Sequence, residues 1–451
     1  MRLQTNQQKL STYDIVNILS AQEPDYRRKV RLKKYFNGEH TILGKRPREN
    51  TEVNNRLVSN FCSYITAMST GYFLGQPVTY KTTSEHEHEL NQLLEIFKYN
   101  DESAHNLELA EEASITGESF EFLYVDSDAQ IRFATVPSEE VTIICDATLE
   151  ANILYAIRRY RVYNLDQIGY DDFVDVYDAN EIQHFKFSGN KLTPINSEPH
   201  YFGEVPIIEF PNNKQRRGDF EDVISLIDAY NMAQSLTLDD LEDFTDAFLV
   251  LKGLGGTSPE DARSLRRNKI IVLDDSGGAE WLIKNLNDTY VENVKTRLQR
   301  DIHKFSAIPD MSDDNFAGNA SGVAISYKLI GLQQVCARKQ REFKKALQRR
   351  IELISNILRL KNQGGIDFRD VTIQFTANIP QNLLEQAQIV QTLDGLVSDK
   401  TLLSLLPFVE NPSEELEELA KAHAEDNADF TSEMNDDGDE RQVLAAAGER
   451  V

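Results

Sequence analysis

The sequence predicts an α+β protein in which long helices accompany a β-rich middle region. Apolar residues recur at helical spacing on both sides of residues 306–321. Short β-branched and aromatic runs with a period near two fill residues 119–210. A hydrophobic content of 40% over 451 residues supports a real core and argues against wholesale disorder.

Composition limits the possible functions. The net charge of −25 excludes a protein that wraps nucleic acid through a generally basic surface, although nucleic acid could pass it without adhering. The odd number of cysteines, Cys62, Cys145 and Cys336, favours a reducing compartment over a disulfide framework. No apolar run follows Met1 and none reaches the roughly 20 residues of a membrane span, so we expect a soluble, cytosolic protein without a signal peptide.

The first part of the chain is predicted to be helical. Ser11 or Thr12 would cap helices that reach Phe36. The basic stretch Tyr26–Phe36 is either a solvated helix face or a contact for phosphates or an acidic partner. Apolar residues from Val53 to Met68 form a helical stripe, and two further helices are expected over residues 87–99 and 101–117.

Residues 119–210 are predicted to be mainly β-structure. Turn clusters such as DSD and SGN separate the short strands, and the charged side chains form no catalytic constellation. A long helix that Asp219 could cap follows and extends to residue 246. Its acidic run from Asp239 to Asp246 contains no histidine, which favours a solvated or channel-facing surface over a metal site.

Two strong helices are predicted around a polar loop in the last part of the chain. The first covers residues 288–305, and the second keeps its apolar spacing from Ile325 to Leu358. Pro309 helps to end the first helix, and Asn319 or Ser321 can cap the second. A loop of this length is a functional loop or a solvated connector. A strand over residues 366–378, short helices from 379 and an acidic, flexible tail complete the chain.

The sequence contains no motif that predicts catalysis. Gly38–Lys45 fails as a phosphate loop because five residues separate its glycines and Arg46 stands where a serine or threonine must hold magnesium. His86 and His88 are two residues apart, which is wrong for a helical zinc motif. We therefore expect a structural or binding protein that is not an enzyme and has no cofactor and no metal.

Three stretches resemble one protein family. They are KKYFNGEHTIL (Lys33–Leu43), NNRLVSNFCSYITAMSTGYFLGQPVTY (Asn54–Tyr80) and IPDMSDDNFAGNASGVAISYKLIGL (Ile308–Leu332). In this order they resemble the portal proteins of tailed bacteriophages, in the branch found in long-tailed phages of Gram-positive hosts. The likeness covers about residues 20–420.

The resemblance implies a ring, typically of twelve subunits, around a channel at one capsid vertex. The large terminase subunit would drive double-stranded DNA through this channel without sequence specificity, and the ring would later release the DNA. Head-completion adaptor, scaffold and major capsid proteins are the other implied partners. The protein would assemble in the host cytoplasm, become part of the virion and contact no membrane.

The resemblance also implies a division into portal regions. The wing would comprise residues 1–224 and 321–378, and the stem would comprise the helices 225–246 and 288–306. The clip would be residues 247–287, the tunnel loop 307–320 and the crown 379–425, with an acidic, flexible tail over 426–451.

Candidate functional residues follow from this division. The candidate tunnel-loop residues are Pro309, Asp310, Met311, Asp313, Asp314, Asn315, Phe316, Gly318 and Ser321. Candidates for guiding DNA along the stem are Lys295, Arg297, Arg300 and Lys304. A basic cluster in the clip, which is either an interaction tip or a solvated helix, contains Arg263, Arg266, Arg267 and Lys269.

Two alternatives from other classes stay open. One is another capsid ring or adaptor protein, although adaptors are usually much smaller chains. The other is a metal-dependent nuclease or motor subunit that uses the carboxylates at positions 239–246.

Overall fold

A computed structural model describes most of the chain. The described residues are 2–47, 53–166, 168–244, 248–252, 278–282, 288–312, 322–378, 383–403, 405, 406, 409, 412, 415, 416 and 418–421. The chain divides into two compact units, Met1–Asn378 and Ile379–Val451. The predicted clip residues Arg263, Arg266, Arg267 and Lys269 and the tail 426–451 lie outside the described residues.

The first helix, α1 (Thr12–Phe36), starts with the cap that the sequence predicts. The Ser11 hydroxyl accepts a bond from the Asp14 amide at 3.2 Å, and the Asp14 carboxylate accepts one from the Ser11 amide at 2.9 Å. Ile15 and Leu19 on α1 pack against the sheet residues Ile157 and Val174. The helix thereby covers one face of the larger sheet.

The prediction that a helix starts at Val53 is wrong, because the helix α2 covers only Phe61–Leu74. Residues 53–60, which precede α2, form no regular structure and are bonded to side chains of the helix α5 (Ile224–Phe244). The backbone amides of Asn55, Leu57 and Ser59 donate to Asp239, Ser235 and Asn231, at 2.7, 2.9 and 2.8 Å. Polar side chains thus satisfy the donors that a helical turn would otherwise use.

The middle of the unit contains the predicted β-structure, preceded by α3 (Glu87–Tyr99) and α4 (Glu102–Thr116). The strands of two sheets are β1 (Leu3–Gln4), β3 (Glu118–Val125), β4 (Ile131–Val136), β5 (Val141–Cys145), β6 (Ile153–Asn164), β7 (Gly169–Tyr177), β8 (Glu181–Ser188), β9 (Lys191–Pro199) and β10 (Ile207–Pro211). A six-stranded sheet has the order β1-β5-β6-β7-β8-β9, and a three-stranded sheet has the order β10-β3-β4. All neighbours are antiparallel except β1 and β5. Residues from both sheets share a core that includes Phe120, Ile143, Ala156 and Ile207.

Three helices make up most of the second half of this unit. They are α5, α6 (Asp288–Ser306) and the 39-residue α7 (Gly322–Leu360), and α5 packs against α6. Between α5 and α6, β11 (Phe248–Lys252) pairs antiparallel with β12 (Gly278–Leu282). After α7, the short strand β13 (Thr372–Gln374) pairs with β2 (Thr79–Lys81).

Asp219 does not cap α5, contrary to the prediction. A short 3-10 turn at Glu221–Val223 precedes the helix. The Asp219 carboxylate instead contacts Lys339 of α7 and accepts a bond from Asn212 at 2.8 Å. Because Lys339 is itself buried, this ion pair fixes α7 against the loop before α5.

Several cations of the basic stretch Tyr26–Phe36, and of a second basic stretch at Lys339–Arg350 in α7, pair with acidic side chains of the fold. In α1, Lys29 is 2% exposed and contacts Glu118 at 2.6 Å, and Lys33 pairs with Glu112 at 2.8 Å. In α7, Arg350 is fully buried and donates to Glu121 at 2.9 Å. Lys29, Lys33 and Arg350 therefore neither belong to a solvated helix face nor are available to bind phosphates, because acidic side chains of the same unit pair with them.

The second unit contains α8 (Leu383–Leu393) and α9 (Asp399–Leu403). None of the helices in the described part of the chain is both long enough and apolar enough to cross a membrane.

Candidate functional site

Helix α6 ends at Ser306 and a turn at Ala307 follows it. Ala307 has a φ of 58°, in the left-handed region that helix ends often adopt. A Cβ atom on Gly331 of α7 would lie 3.4 Å from the Ala307 carbonyl oxygen, so the two helices approach closely at this turn. Ile308 is almost fully buried, and Pro309 follows it.

The Tyr64 hydroxyl of α2 joins two backbone groups just after this turn. It donates a hydrogen bond to the Pro309 carbonyl at 2.9 Å and accepts one from the Met311 amide at 3.2 Å. Burial raises the pKa of Tyr64, an effect that the Met311 amide opposes and the Asp310 carboxylate adds to. The hydroxyl therefore keeps its proton and can fill both roles at neutral pH.

Asp310 lies between these two backbone groups and has its own partners. Its carboxylate accepts bonds from Gln299 at 2.9 Å, from the Ser312 amide at 3.0 Å and from the Ser312 hydroxyl at 2.6 Å. Burial alone would raise the pKa of Asp310. The Ser312 bonds, with the nearby His303 and Gln299, outweigh that effect and lower the pKa below its usual value.

His303 of α6 completes the arrangement. Its Nδ1 atom lies 3.1 Å from the Ile308 carbonyl oxygen, and because that oxygen can only accept, Nδ1 is the donor of this bond. Its Nε2 atom lies 3.6 Å from the Asp310 carboxylate. The rings of Phe61 and Tyr64 meet the imidazole edge-on, with centroids 5.9 and 5.7 Å away. A cavity of about 290 Å³ adjoins these side chains.

The structure describes three of the nine candidate tunnel-loop residues. Pro309, Asp310 and Met311 are bound to α2 and α6 as above. The other six lie outside the described residues: Asp313, Asp314, Asn315, Phe316, Gly318 and Ser321. Their predicted role stays a prediction.

The four basic candidates on α6 lie on two faces of the helix. Arg297, Arg300 and Lys304 are exposed and follow one another at helical spacing, opposite the buried Ile302. Arg297 approaches Asp301 at 3.8 Å. Lys295 lies on the other face and pairs with Glu292 at 2.5 Å. Arg297, Arg300 and Lys304 can therefore contact one ligand together, whereas Lys295 cannot join them.

Sequence reasoning missed Tyr64, Gln299 and His303. Tyr64 belongs to the apolar stripe of residues 53–68, and its partners Pro309 and Met311 are about 245 residues away in the chain. The sequence offered one sign of these contacts, a tyrosine and a histidine next to the apolar faces of two predicted helices. Many residues with a purely structural role show the same pattern.

The three stretches that carry the resemblance meet in this part of the fold. Tyr35 and Thr41 of the first stretch both donate to Asp228 of α5, at 2.9 and 2.8 Å. The second stretch continues along α5 and then forms α2. Through Tyr64 it binds the start of the third stretch. Residues far apart in the sequence therefore build one junction around α5 and α6.

Comparison with known proteins decides the family. The profile described as "Phage portal protein, SPP1 Gp6-like" matches residues 17–429, which is most of the chain. The chain belongs to this phage portal protein family. The portal protein of Bacillus phage SPP1 is 26% identical over 427 residues, covering 87% of this chain and 81% of that protein. The portal protein of Clostridium phage phiCD119 is 25% identical over 452 residues, covering 93% of this chain and 97% of that protein.

Family membership confirms the portal role expected from the sequence. Portal proteins are structural components of the virion, and they act as multimers with other phage head proteins. The turn after α6 is therefore part of a portal subunit, and its function has to be sought in the assembled portal.

Proposed function

We propose that this portal protein forms a closed ring of twelve subunits around a channel for double-stranded DNA at one capsid vertex. The large terminase subunit docks on the ring in the host cytoplasm and drives DNA through it. Scaffold and major capsid proteins surround the ring, and a head-completion adaptor later binds it and links it to the tail. Family membership over residues 17–429 is the observation that carries this proposal.

The portal regions follow from the same family. Residues 1–224 and 321–378 form the wing, α5 and α6 form the stem, and residues 247–287 form the clip. Residues 307–320 form the tunnel loop and residues 379–425 form the crown. The junction of α2, α5 and α6 then lies where wing, stem and tunnel loop meet.

The charge of the chain suits the passage of DNA. A net charge of −25 gives each subunit a field that repels phosphates, so DNA slides through the channel without adhering to its wall. The exposed cations Arg297, Arg300 and Lys304 on one face of α6 guide the DNA electrostatically. Such contacts carry no sequence information, as a passage for a whole genome requires.

The tunnel loop reaches toward the DNA in this proposal. Its acidic and glycine-containing sequence, with Asp313, Asp314 and Gly318, offers no base readout and allows the backbone to move as DNA advances. Asp310 has a different role, because Gln299 and Ser312 already hold its carboxylate.

The contacts of Asp239 give no support to the alternative of a metal-dependent nuclease. Asp239 is buried, contacts Lys45 and accepts two bonds from Asn55, at 2.7 and 3.1 Å. Burial would raise the pKa of Asp239, but these partners lower it below its usual value. The carboxylate therefore joins Lys45 and the start of the second resemblance stretch to α5, and it is buried among these partners.

Deletion of residues 313–319 tests the role of the tunnel loop. This deletion keeps the bonded residues 308–312, so we expect rings to assemble as they do from the unaltered chain. Packaging of DNA into procapsids by the terminase should fall severalfold. Deletion of a similar length in the acidic tail, residues 430–436, is the control. Unimpaired packaging by rings that lack residues 313–319 would contradict the proposed role.

A further inference from the structure

The first residues after α6 are attached to two helices at several points. Ile308 is bound through His303, Pro309 and Met311 through Tyr64, and Asp310 through Gln299. Tyr64 is on α2, whereas His303 and Gln299 are on α6. The segment 308–312 is therefore joined to both sides of the junction.

The Tyr64 hydroxyl has a special position among these contacts. It bonds the carbonyl of Pro309 and the amide of Met311, two backbone groups on either side of Asp310. One side chain thus bridges the two backbone groups that flank Asp310. Its ring packs edge-on against His303, which itself holds the preceding carbonyl. Removal of this one hydroxyl frees both backbone groups and leaves the ring packing in place.

We propose that Tyr64, supported by Gln299 and His303, is a positioning group that holds residues 308–312 against α2 and α6. Movement of the tunnel loop then begins beyond Ser312 and not at the end of α6. This inference rests on the proposed function of the loop in DNA passage.

The length of chain involved shows why the attachment matters. An extended chain covers about 3.5 Å per residue, so release of residues 308–312 would add about 18 Å of chain to the loop. Because helices hold both ends of the loop, its reach would grow by about half of that length. A loop with that extra reach would spread its tip over a much larger volume. Attachment at Tyr64 keeps the tip close to one position, so that each subunit presents its loop to the DNA in the same way.

Hydrogen exchange of assembled rings tests the attachment directly. Tyr64→Phe removes the hydroxyl alone, and Gln299→Leu removes the donor to Asp310. Tyr230→Phe is the matched control, because Tyr230 packs edge-on against Phe61 and its hydroxyl bonds Gln234, away from residues 308–312. We expect Tyr64→Phe to speed exchange of the Met311 amide by about fivefold, with no such change in Tyr230→Phe.

Packaging by the same rings tests the consequence. We expect Tyr64→Phe and Gln299→Leu to lower the packaging rate severalfold, and Tyr230→Phe to leave it unchanged. Unchanged exchange at Met311 in Tyr64→Phe overturns the attachment. Faster exchange with normal packaging overturns the positioning role and leaves the proposed function of the loop intact. Normal packaging after deletion of residues 313–319 rejects the function of the loop itself, whatever the exchange result.

Discussion

At the scale of single residues, buried ion pairs connect distant parts of the first unit. The Asp219 carboxylate contacts the buried Lys339 of α7 and accepts bonds from Asn212 and Ser114. Burial would raise the pKa of Asp219. Lys339, Asn212 and Ser114 together outweigh burial and hold the pKa below its usual value. Loss of either charge would leave the other buried without an opposite charge beside it, which is costly.

Replacement of Asp219 by asparagine should destabilise the protein in a pH-dependent way. A carboxylate with a lowered folded pKa contributes stability above its unfolded pKa of about 3.9, and this contribution is lost as the pH falls through the folded value. We expect Asp219→Asn to cost about 3–5 kcal/mol at pH 7, with the difference narrowing below about pH 4. Urea unfolding at several pH values measures it.

Asp222→Asn serves as the control for this experiment. Asp222 is exposed and pairs with Arg217 at 2.7 Å, so its replacement should change the free energy of unfolding by less than about 1 kcal/mol. A cost for Asp219→Asn that stays constant from pH 7 to pH 3 would show that the ion pair is not its cause.

At the scale of elements, Asn378 lies very close to the carboxyl end of α2, at Gly75. A Cβ atom on Gly75 would lie 2.4 Å from the Asn378 side-chain nitrogen and 2.2 Å from the Gly71 carbonyl oxygen. The Asn378 amide also donates to the Tyr72 carbonyl at 3.1 Å. The second glycine of the GYFLG sequence therefore makes room for the chain that follows β13.

Two alanine substitutions distinguish the two glycines of this sequence. Gly75→Ala should destabilise the protein by about 1–3 kcal/mol, because backbone and side chain would have to shift. Gly71 lies inside α2 with nothing within 4 Å of an added Cβ atom, so Gly71→Ala should be neutral or stabilise by up to about 1 kcal/mol. Thermal unfolding of both variants measures the difference, and equal effects would contradict this account.

Local patterns predicted the elements whose structure is decided locally. The apolar spacing of residues 87–99 gave the bounds of α3, and Ser11 with Asp14 gave the start of α1. The same spacing failed at Val53, because the amides of Asn55 and Leu57 bind α5 side chains about 180 residues away. Periodicity carries no information about such partners.

The position of the candidate site in the chain could be predicted from the sequence, but its side-chain contacts could not. The polar run after Pro309 marked the loop, and the helical spacing on both sides fixed its limits. Tyr64, Gln299 and His303 could not be assigned, since each acts through a fold-dependent contact with residues 308–312. The sequence likewise could not distinguish Lys295 from the other three cations of α6, Arg297, Arg300 and Lys304. That distinction depends on which face of α6 is buried in the fold.

At the scale of the whole molecule, the proposed channel for DNA requires assembly of the subunits into a ring. Portal subunits act as multimers, and a head-to-tail contact between identical subunits closes into a ring when its rotation divides a full turn. The proposed contact between the tunnel loops and DNA requires such a ring, because only a ring repeats the same loop around one axis.

Electron microscopy of the purified protein tests this claim most directly. Class averages should show closed rings with a central channel, most of them with twelve subunits. Particles that stay monomeric at all concentrations and salt conditions tried, or assemblies without an axial channel, would contradict the account.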